Sequence, residues 1–167
     1  MVTDQSEITD TYALYLDDES HSFDGKADAI AFPNTEADVA AILRDANDRG
    51  IPVTIQGGRT GLTGAAVPLG GIALNLERMN DILYMRYDEK NELYSIAAEA
   101  GVLLEGLVKI LTSKDVKSLE GKESNESDAA LQRFVSDSNS YTFPVDPTEM
   151  SAWLGGITAC NASGART

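Results

Sequence analysis

The stretch IPVTIQGGRTGLTGAAVPLGGIALNL, residues 51–76, decides how this chain folds. Its first six residues, 51–56, are rich in β-branched side chains and predict a strand, with Pro52 near its start. IALNL at 72–76 predicts a second strand, and the glycine-rich segment 57–71 joins the two. The stretch therefore predicts two short strands separated by a loop with unusual backbone freedom.

A strand and a helix are predicted immediately upstream of this stretch. DAIAFP, residues 28–33, has the composition of a short strand. Thr35 is followed three residues later by Asp38, which is typical of a capping box at the start of a helix, and Gly50 supplies the stop. The apolar positions in between recur at helical spacing and are Val39, Ile42, Leu43 and Ala46. Strand, helix and strand in this order predict a β-α-β unit with parallel strands.

The second half of the chain predicts a hairpin and a helix, followed by a polar segment. Residues 84–87 and 93–100 flank the polar turn DEKNE, so they predict an antiparallel pair. Residues 102–112 predict an amphipathic helix. The segment 113–140 is polar throughout except for a helical stripe at 129–135, and we interpret it as a mobile surface insertion.

Charge and composition exclude several classes of protein. Thirteen Lys and Arg residues stand against 27 Asp and Glu residues, which gives a formal net charge of −14. A surface this acidic repels nucleic acid, so we expect no such partner. No run of about 18 apolar residues is present, so we expect no membrane span. The one cysteine, Cys160, allows no disulfide within the chain, no Cys/His cluster has metal-ligand spacing, and the acidic start is unlike a secretory signal, which together favour a cytoplasmic location.

Two windows of the sequence contain no acidic residue. Arg59 is the only charged residue in 51–76, and Arg166 is the only one in 150–167. In the first window, successive N–H groups of a glycine-rich loop at positive φ can converge on an anion. Arg59, Thr60 and Thr63 add a positive charge and hydroxyl donors. The window therefore predicts a phosphate or diphosphate site, and the alternative is a turn that only links two strands.

Two common phosphate-binding motifs are absent. The Rossmann motif G-x-G-x-x-G would need a glycine at Arg59 or Thr60, and no Gly-Lys pair followed by Ser or Thr has P-loop spacing. The second window has the same small-residue character, in WLGGITACNASG at 153–164. It predicts either a second ligand contact or a tight corner of the fold.

Five stretches in order carry a specific resemblance, from about Tyr15 to the C-terminus. They are DESHSFDGKADAIAFPNTEADVAAIL, IPVTIQGGRTGLTGAAVPLGGIALNLERMNDIL, AEAGVLLEGL, FPVDPTE and LGGITACNASGART. Together they resemble the FAD-binding domain of the vanillyl-alcohol oxidase / p-cresol methylhydroxylase family, in its branch of FAD-linked glycolate oxidase and D-lactate dehydrogenase. The resemblance implies an α+β fold with a β-α-β subdomain and a mixed sheet. It divides the chain into an N-terminal helix and loop (1–27), the first FAD-binding subdomain (28–112), the polar insertion (113–140) and the start of an incomplete second subdomain (141–167).

The resemblance also places contacts to FAD. The diphosphate loop of the family falls on Gln56, Gly57, Gly58, Arg59, Thr60, Gly61 and Leu62, with Gly64, Ala66 and Pro68 nearby. In the second stretch the contacts fall on Pro144, Asp146, Gly155, Gly156, Asn161 and Ser163. Some relatives attach FAD covalently through a His beside the loop glycines. Because Arg59 stands there and the only His, His21, is far away in sequence, we expect non-covalent FAD. Relatives commonly have Asn where this chain has Ile157, so one polar contact is lost.

The resemblance implies an enzyme that oxidises a 2-hydroxy acid, such as glycolate or D-lactate, by hydride transfer to the flavin. The catalytic base, the residues that bind the substrate carboxylate and a cap domain would lie beyond the part present, so we expect an inactive amino-terminal fragment and assign no catalytic residue. An incomplete second subdomain predicts exposed apolar surface and self-association. The alternative is a non-catalytic nucleotide-binding or interaction module of a multi-subunit complex.

A few single residues also admit two interpretations. Arg59 is the only charged residue for which a ligand-binding role is favoured. His21 is predicted to be a solvated loop residue rather than a general base, and the pair Asp17–Asp18 to be a solvated turn. Cys160 is predicted to be a small buried residue rather than a reactive thiol. For Trp153, packing is favoured over stacking on a flavin.

Overall fold

The computed structural model describes residues 1–117, 125–143 and 149–164. The chain divides into two compact units, Met1–Met79 and Asn80–Thr167. Each unit has its own sheet and its own buried apolar clusters. The domain boundaries that the sequence suggested stay a prediction.

A three-stranded parallel sheet forms the centre of the first unit. Its strands are β1 (Ala29–Ala31), β2 (Val53–Gln56) and β3 (Ile72–Asn75), in the order β1-β3-β2. Both outer strands run parallel to β3, and all four residues of β3 are buried. The structure confirms the predicted β-α-β unit, and it places β3, which follows the glycine-rich loop, between the other two strands.

Helix α2 (Glu36–Asp48) covers one face of this sheet. It begins with the predicted capping box, because the Thr35 hydroxyl accepts from the Asp38 N–H at 3.1 Å and the Asp38 carboxylate accepts from the Thr35 N–H at 3.0 Å. Beyond its end, Gly50 has a φ of +64°, which stops the helix as expected. Three of the four predicted apolar positions pack against β1 and β3, namely Val39, Ile42 and Ala46. The fourth, Leu43, is exposed because the helical rotation places it at the edge of the apolar stripe.

The opposite face of the sheet is covered by the N-terminal segment. This segment contains helix α1 (Gln5–Asp10) and a 3-10 helix (Ala13–Leu16). Side chains alternate across the strands, so Ile30 and Ala73 point away from α2 and are buried with Ile8. The rings of Tyr12, Tyr15 and Phe32 pack beside them with centroids 5.1 to 5.8 Å apart. The first unit is therefore a sheet with apolar packing on both faces.

The second unit is built on an antiparallel pair. Strands β4 (Ile82–Asp88) and β5 (Leu93–Ala98) form the predicted hairpin, with a register irregularity between Ile82 and Tyr84. Helix α3 (Leu104–Ser113) buries its apolar side, as its periodicity predicts. The expected α+β class is confirmed. The expected mixed sheet is not found among the described residues, because the parallel strands and the antiparallel strands lie in separate sheets.

Helix α4 (Asn125–Ser136) lies within the segment that we interpreted as a surface insertion. Its residues Ala130, Leu131 and Phe134 are buried in one cluster with Met85 of β4 and Leu107 of α3, and Phe134 is 0% exposed. The interpretation as a surface insertion is therefore wrong for this helix. The stripe predicted at 129–135 is confirmed, and it completes the core of the second unit.

Helix α5 (Leu154–Ala159) contains half of the second small-residue window, 153–164. Its Ile157 is buried with Leu104 of α3 and with Ala152. The side chain of Ile157 therefore fills an apolar cluster. In the residues that the structure describes, no helix is both long and apolar enough to cross a membrane.

Candidate functional site

The glycine-rich loop starts at the carboxyl ends of two neighbouring parallel strands. Gln56 at the end of β2 is in register with Asn75 at the end of β3, and the loop leaves from Gln56. In parallel α/β sheets, ligands bind in the crevice beyond the carboxyl ends of the strands. The loop therefore lies where this kind of sheet binds small molecules.

The hydrogen bonds of residues 57–66 are strongly one-sided. Four of their carbonyl groups accept protein hydrogen bonds. Two bind buried side-chain amides, Gly57 with Asn75 Nδ2 at 3.5 Å and Ala66 with Gln56 Nε2 at 2.7 Å. The other two bind backbone N–H groups, Arg59 with that of Glu19 and Gly64 with that of Val67, both at 3.1 Å. Within the described ranges, none of the N–H groups of 57–66 donates to another protein group. Protein groups thus bind some of the loop's carbonyls, whereas its N–H groups have no protein partner among the described residues and are available to an anion.

The backbone angles of the loop differ from the expected nest of glycines. Within 57–66, positive φ occurs at Arg59 (+58°) and Gly64 (+72°), and it occurs again at Gly70 (+114°) and Gly71 (+69°) where the loop meets β3. The expectation of positive φ is wrong for Gly57, Gly58 and Gly61. At Gly64 the positive φ favours glycine, and a Cβ there would also meet the ring of Phe23, an exposed side chain. A Cβ at Gly61 would meet open space. The loop therefore presents its donors mainly through ordinary backbone angles.

The side chain of Gln56 supports the loop from inside the protein. It is 0% exposed, and its Nε2 donates to the carbonyls of Tyr15 and Ala66, both at 2.7 Å. Its Oε1 is buried and has no partner among the described residues. Asn75, also fully buried, accepts from the Glu77 N–H at 2.9 Å while it donates to Gly57. The two amides therefore fix the start and the far side of the loop.

The remaining predicted loop residues differ in exposure. Leu62 is 75% exposed, whereas Pro68 is fully buried and its carbonyl accepts from the Lys26 N–H at 2.7 Å. Thr60 and Ala66 are half-buried. Pro68 therefore belongs to the core that holds the loop, and Leu62 to its outer surface.

Arg59 lies over an aromatic ring. Its guanidinium carbon is 4.5 Å from the centroid of the Tyr15 ring. Among the described residues, no carboxylate forms an ion pair with it. The Tyr15 hydroxyl donates to Glu77 Oε2 at 2.6 Å, and burial together with this bond raises the pKa of Tyr15 to about 12. Sequence reasoning missed Tyr15 because it is distant from Arg59 along the chain.

Acidic residues approach the loop in space although its own sequence contains none. The Glu19 N–H binds the carbonyl of Arg59, so the acidic run 17–19 lies against the loop. Asp18 is only 4% exposed and accepts from the hydroxyl and the N–H of Ser20, so the prediction of a solvated turn is wrong for Asp18. His21, two residues beyond Glu19, is therefore not remote from the loop, although it is remote in sequence. It is exposed, as predicted.

We expect His21 and Asp17 to titrate as a pair. Their side chains are 2.6 Å apart, and this hydrogen bond raises the pKa of His21 above its usual 6.5 and lowers the pKa of Asp17. The stabilisation is present between the two pKa values, and it is lost as the pH rises through the pKa of His21 or falls through that of Asp17. Because both side chains are largely exposed, the effect on stability is small. An NMR titration of the His21 ring should give a midpoint above 6.5, and Asp17→Asn should lower it; equal midpoints would contradict the pairing.

The two glycines of the second stretch have different surroundings. Gly155 donates its N–H to the Ala100 carbonyl at 2.9 Å, and a Cβ at Gly155 would lie 2.6 Å from the Ala100 Cβ, so close packing requires a glycine there. A Cβ at Gly156 would meet open space. Ser163 is exposed and Trp153 is half-buried at the start of α5. Pro144 and Asp146 lie outside the described residues.

Asn161 ends helix α5. Its φ is +47°, its N–H donates to the Thr158 carbonyl at 3.2 Å, and the next N–H, of Ala162, donates to the Ile157 carbonyl at 2.9 Å. This pattern is a Schellman motif with Asn in the left-handed position. Cys160, just before it, is exposed, so the prediction of a buried cysteine is wrong. A residue at a helix end takes its exposure from the path of the following chain, which the sequence around it does not specify.

We expect Asn161→Val to destabilise the second unit by about 1–2 kcal/mol, because a β-branched residue tolerates the left-handed conformation poorly. Asn161→Gly should be close to neutral, because glycine adopts this conformation freely. Urea unfolding of the two variants and the wild type measures the difference. Equal midpoints for the Val and Gly variants would show that the backbone at 161 is not held at positive φ.

The two predicted stretches belong to different units. Residues 57–66 lie in the first unit and 153–164 in the second. That they hold one ligand together stays a prediction.

Comparisons with known proteins bear on this site. Residues 27–119 match the family model described as FAD binding domain. The chain is 34% identical over 145 residues to D-lactate dehydrogenase of Anaerostipes hadrus, covering 85% of this chain and 24% of that protein. It is 34% identical over 95 residues to the mitochondrial D-2-hydroxyglutarate dehydrogenase of Arabidopsis thaliana. This match covers 56% of this chain and 16% of that protein. The chain thus spans about a quarter of the length of its relatives, or less.

Solved structures show the same fold. Cholesterol oxidase from Brevibacterium sterolicum superposes with a TM-score of 0.58 at 20% identity, covering 81% of this chain and 21% of that one. The 6-hydroxy-D-nicotine oxidase of Arthrobacter nicotinovorans has a TM-score of 0.50 at 26% identity. This match covers 66% of this chain and 22% of that one.

Proposed function

This chain belongs to the family of FAD binding domains, and we propose that it holds the cofactor of a flavin-dependent enzyme that oxidises a 2-hydroxy acid. The resemblance to FAD-linked oxidases and dehydrogenases predicted from the sequence is confirmed. The relatives named above act, by their names, on D-lactate and D-2-hydroxyglutarate, which are both 2-hydroxy acids. When bound, FAD supplies a two-electron acceptor for such a substrate. We assign no catalytic residue in this chain.

The one-sided hydrogen bonding of residues 57–66 carries the proposal. Diphosphate oxygens are acceptors only, so they need converging donors and positive charge. The loop offers N–H groups without a protein partner in the described ranges, Arg59 adds a guanidinium that pairs with no described carboxylate, and Thr60 and Thr63 add hydroxyls. The donor set therefore fits the diphosphate of FAD. In this assignment the side chains of Gln56 and Asn75 hold the loop in shape from inside the protein, and the FAD contact expected at Gln56 stays a prediction.

We propose that FAD is bound non-covalently. The loop carries Arg59 beside its glycines, and the chain has a single histidine. That histidine, His21, has its Nδ1 bound to Asp17 and a raised pKa, so its ring is more often protonated than an unperturbed imidazole. A protonated ring has no free lone pair with which to form a bond to the flavin.

Retention of FAD by the purified chain is the first test. The 167-residue protein is mixed with FAD, separated from free flavin by gel filtration and scanned for flavin absorbance. We expect flavin to co-elute and then to remain in the supernatant after acid precipitation. No co-eluting flavin would contradict FAD binding, and flavin in the pellet would contradict the non-covalent mode.

The substrate class needs a longer polypeptide. The corresponding quarter of the Anaerostipes hadrus D-lactate dehydrogenase can be replaced by this chain, with the same chimera carrying Gly58→Asp as the matched control. We expect reduction of a dye acceptor with D-lactate in the first chimera and not in the second. A flavin-loaded chimera that ignores every 2-hydroxy acid tested would contradict the assigned substrate class.

We also propose self-association and a cytoplasmic location. The support is exposed apolar side chains, which include Leu93 (61% exposed) and Val135 (48% exposed) in the second unit as well as Leu14, Leu62 and Leu69 (74 to 75% exposed) in the first. The exposed thiol of Cys160 is unpaired, as is usual in a reducing compartment. Light scattering after gel filtration tests the first point, since a mass that stays monomeric at high concentration would contradict it.

A further inference from the structure

We propose that Tyr15 is a positioning residue that holds the guanidinium of Arg59 ready for a phosphate group. The inference rests on the proposed function, because it concerns the same loop and the same ligand. Tyr15 lies in the N-terminal segment, distant in sequence from the loop. Its ring is the surface on which the Arg59 side chain lies, with the guanidinium carbon 4.5 Å from the ring centroid.

Tyr15 is fixed from three directions. Its carbonyl accepts from the buried Gln56 Nε2 at 2.7 Å, and its hydroxyl donates to Glu77 Oε2 at 2.6 Å. Its ring meets that of Phe32 edge to face, with centroids 5.1 Å apart and planes at 80°. Glu77 is held in turn, since its N–H donates to Asn75 Oδ1. Because both Gln56 and Asn75 also bind the loop, the ring is tied to the same framework as the loop carbonyls.

Arg59 is fixed at its backbone, and among the described residues the Tyr15 ring supports its side chain. The backbone has a φ of +58°, and its carbonyl is bound by the Glu19 N–H. Contact with a ring face holds a guanidinium through its charge and consumes none of its five N–H donors. A carboxylate partner would instead neutralise the charge and occupy the donors. A ring is thus the support that leaves Arg59 competent to bind an anion.

The test separates the ring face from the bulk of the side chain. Phe, 3,5-difluorophenylalanine and pentafluorophenylalanine at position 15 keep the ring shape, while fluorine withdraws electron density from its face. FAD affinity is measured by quenching of flavin fluorescence on the full chain. We expect Tyr15→Phe to stay within about twofold of the wild type, and affinity to fall stepwise on fluorination to about 3- to 10-fold weaker. Equal affinity across the ring series, or a full loss already in Tyr15→Phe, would overturn the proposal.

A double-mutant cycle tests whether Tyr15 acts through Arg59. Tyr15→Leu should weaken FAD binding about 3- to 10-fold in the wild-type background and should have no further effect in the Arg59→Ala background. Additive losses would overturn the proposal. Tyr12→Leu is the matched control, because its ring belongs to the same aromatic cluster but lies under no guanidinium in the described structure. A loss in this control equal to that of Tyr15→Leu would show a general packing effect and would also overturn it.

The proposal and the proposed function fail differently. Absence of FAD binding by the wild-type chain contradicts the function. Normal FAD binding that is insensitive to the ring at position 15 contradicts only the role of Tyr15.

Discussion

Gly58→Asp is expected to weaken FAD binding by about 1–3 kcal/mol, the usual range for hydrogen bonds with charged groups. Gly58 is half-buried in the part of the loop whose N–H groups have no partner among the described residues. A carboxylate at this position would bring a negative charge to the site that we assign to the diphosphate, and it could accept the N–H groups that the ligand needs. Both effects oppose binding.

The matched control is Gly58→Asn, which has nearly the same shape as the Asp variant and no charge. Fluorescence titrations with FAD on the three proteins give the dissociation constants. We expect the dissociation constant of the Asn variant to lie between those of the wild type and the Asp variant. Equal affinity of the Asp variant and the wild type would show that the loop only connects two strands. If Gly58→Asn lowered the FAD affinity as much as Gly58→Asp, the effect would come from the shape of the side chain and not from its charge.

Phe134→Ala is expected to lower the free energy of unfolding of the second unit by about 3–5 kcal/mol, the usual cost of truncating a buried Phe. Phe134 is fully buried on α4, and its ring packs edge to face on that of Tyr94, with centroids 5.4 Å apart. Removing the ring leaves a cavity between the helix and the hairpin. Few side chains of the second unit are both as large and as buried.

Val135→Ala on the same helix is the control, because Val135 is 48% exposed and its truncation opens no cavity. Urea unfolding followed by far-ultraviolet circular dichroism measures both variants. We expect the midpoint of the Phe134→Ala protein to fall far below that of the control. If the two variants unfold at the same urea concentration, α4 is not docked on the hairpin as the structure has it.

The regular elements could be predicted because their signals are local. The capping box of α2 lies within four residues, and the spacing of Val39, Ile42 and Ala46 is enough to indicate a helix. The parallel order of β1 and β2 follows from the helix between them. The position of the glycine-rich loop at a strand end was equally visible, since the β-branched run stops at Gln56.

The supports of the loop could not be predicted because they join distant residues. Nothing near Gln56 in sequence indicates that its amide binds Tyr15, and nothing near Arg59 indicates the ring beneath it. The acidic pair Asp17–Asp18 was interpreted as a solvated turn, yet the fold brings the run 17–19 against the loop. For α4, the polar composition of 113–140 favours a surface insertion, although the apolar residues at 129–135 have helical spacing and are buried in the structure. Tertiary contacts decided each of these cases.

The central place of β3 sets an order of events during folding. β1 and β2 both pair with β3 and not with each other, so the three-stranded sheet cannot form until Ile72–Asn75 is in place. The loop 57–71 connects β3 to β2, whereas β1 reaches β3 only across a longer segment that includes α2. Shorter loops close at a lower cost in chain entropy. We therefore expect the β2–β3 pair to form first, so that the glycine-rich loop is closed before β1 and the rings of Tyr12, Tyr15 and Phe32 pack beside it.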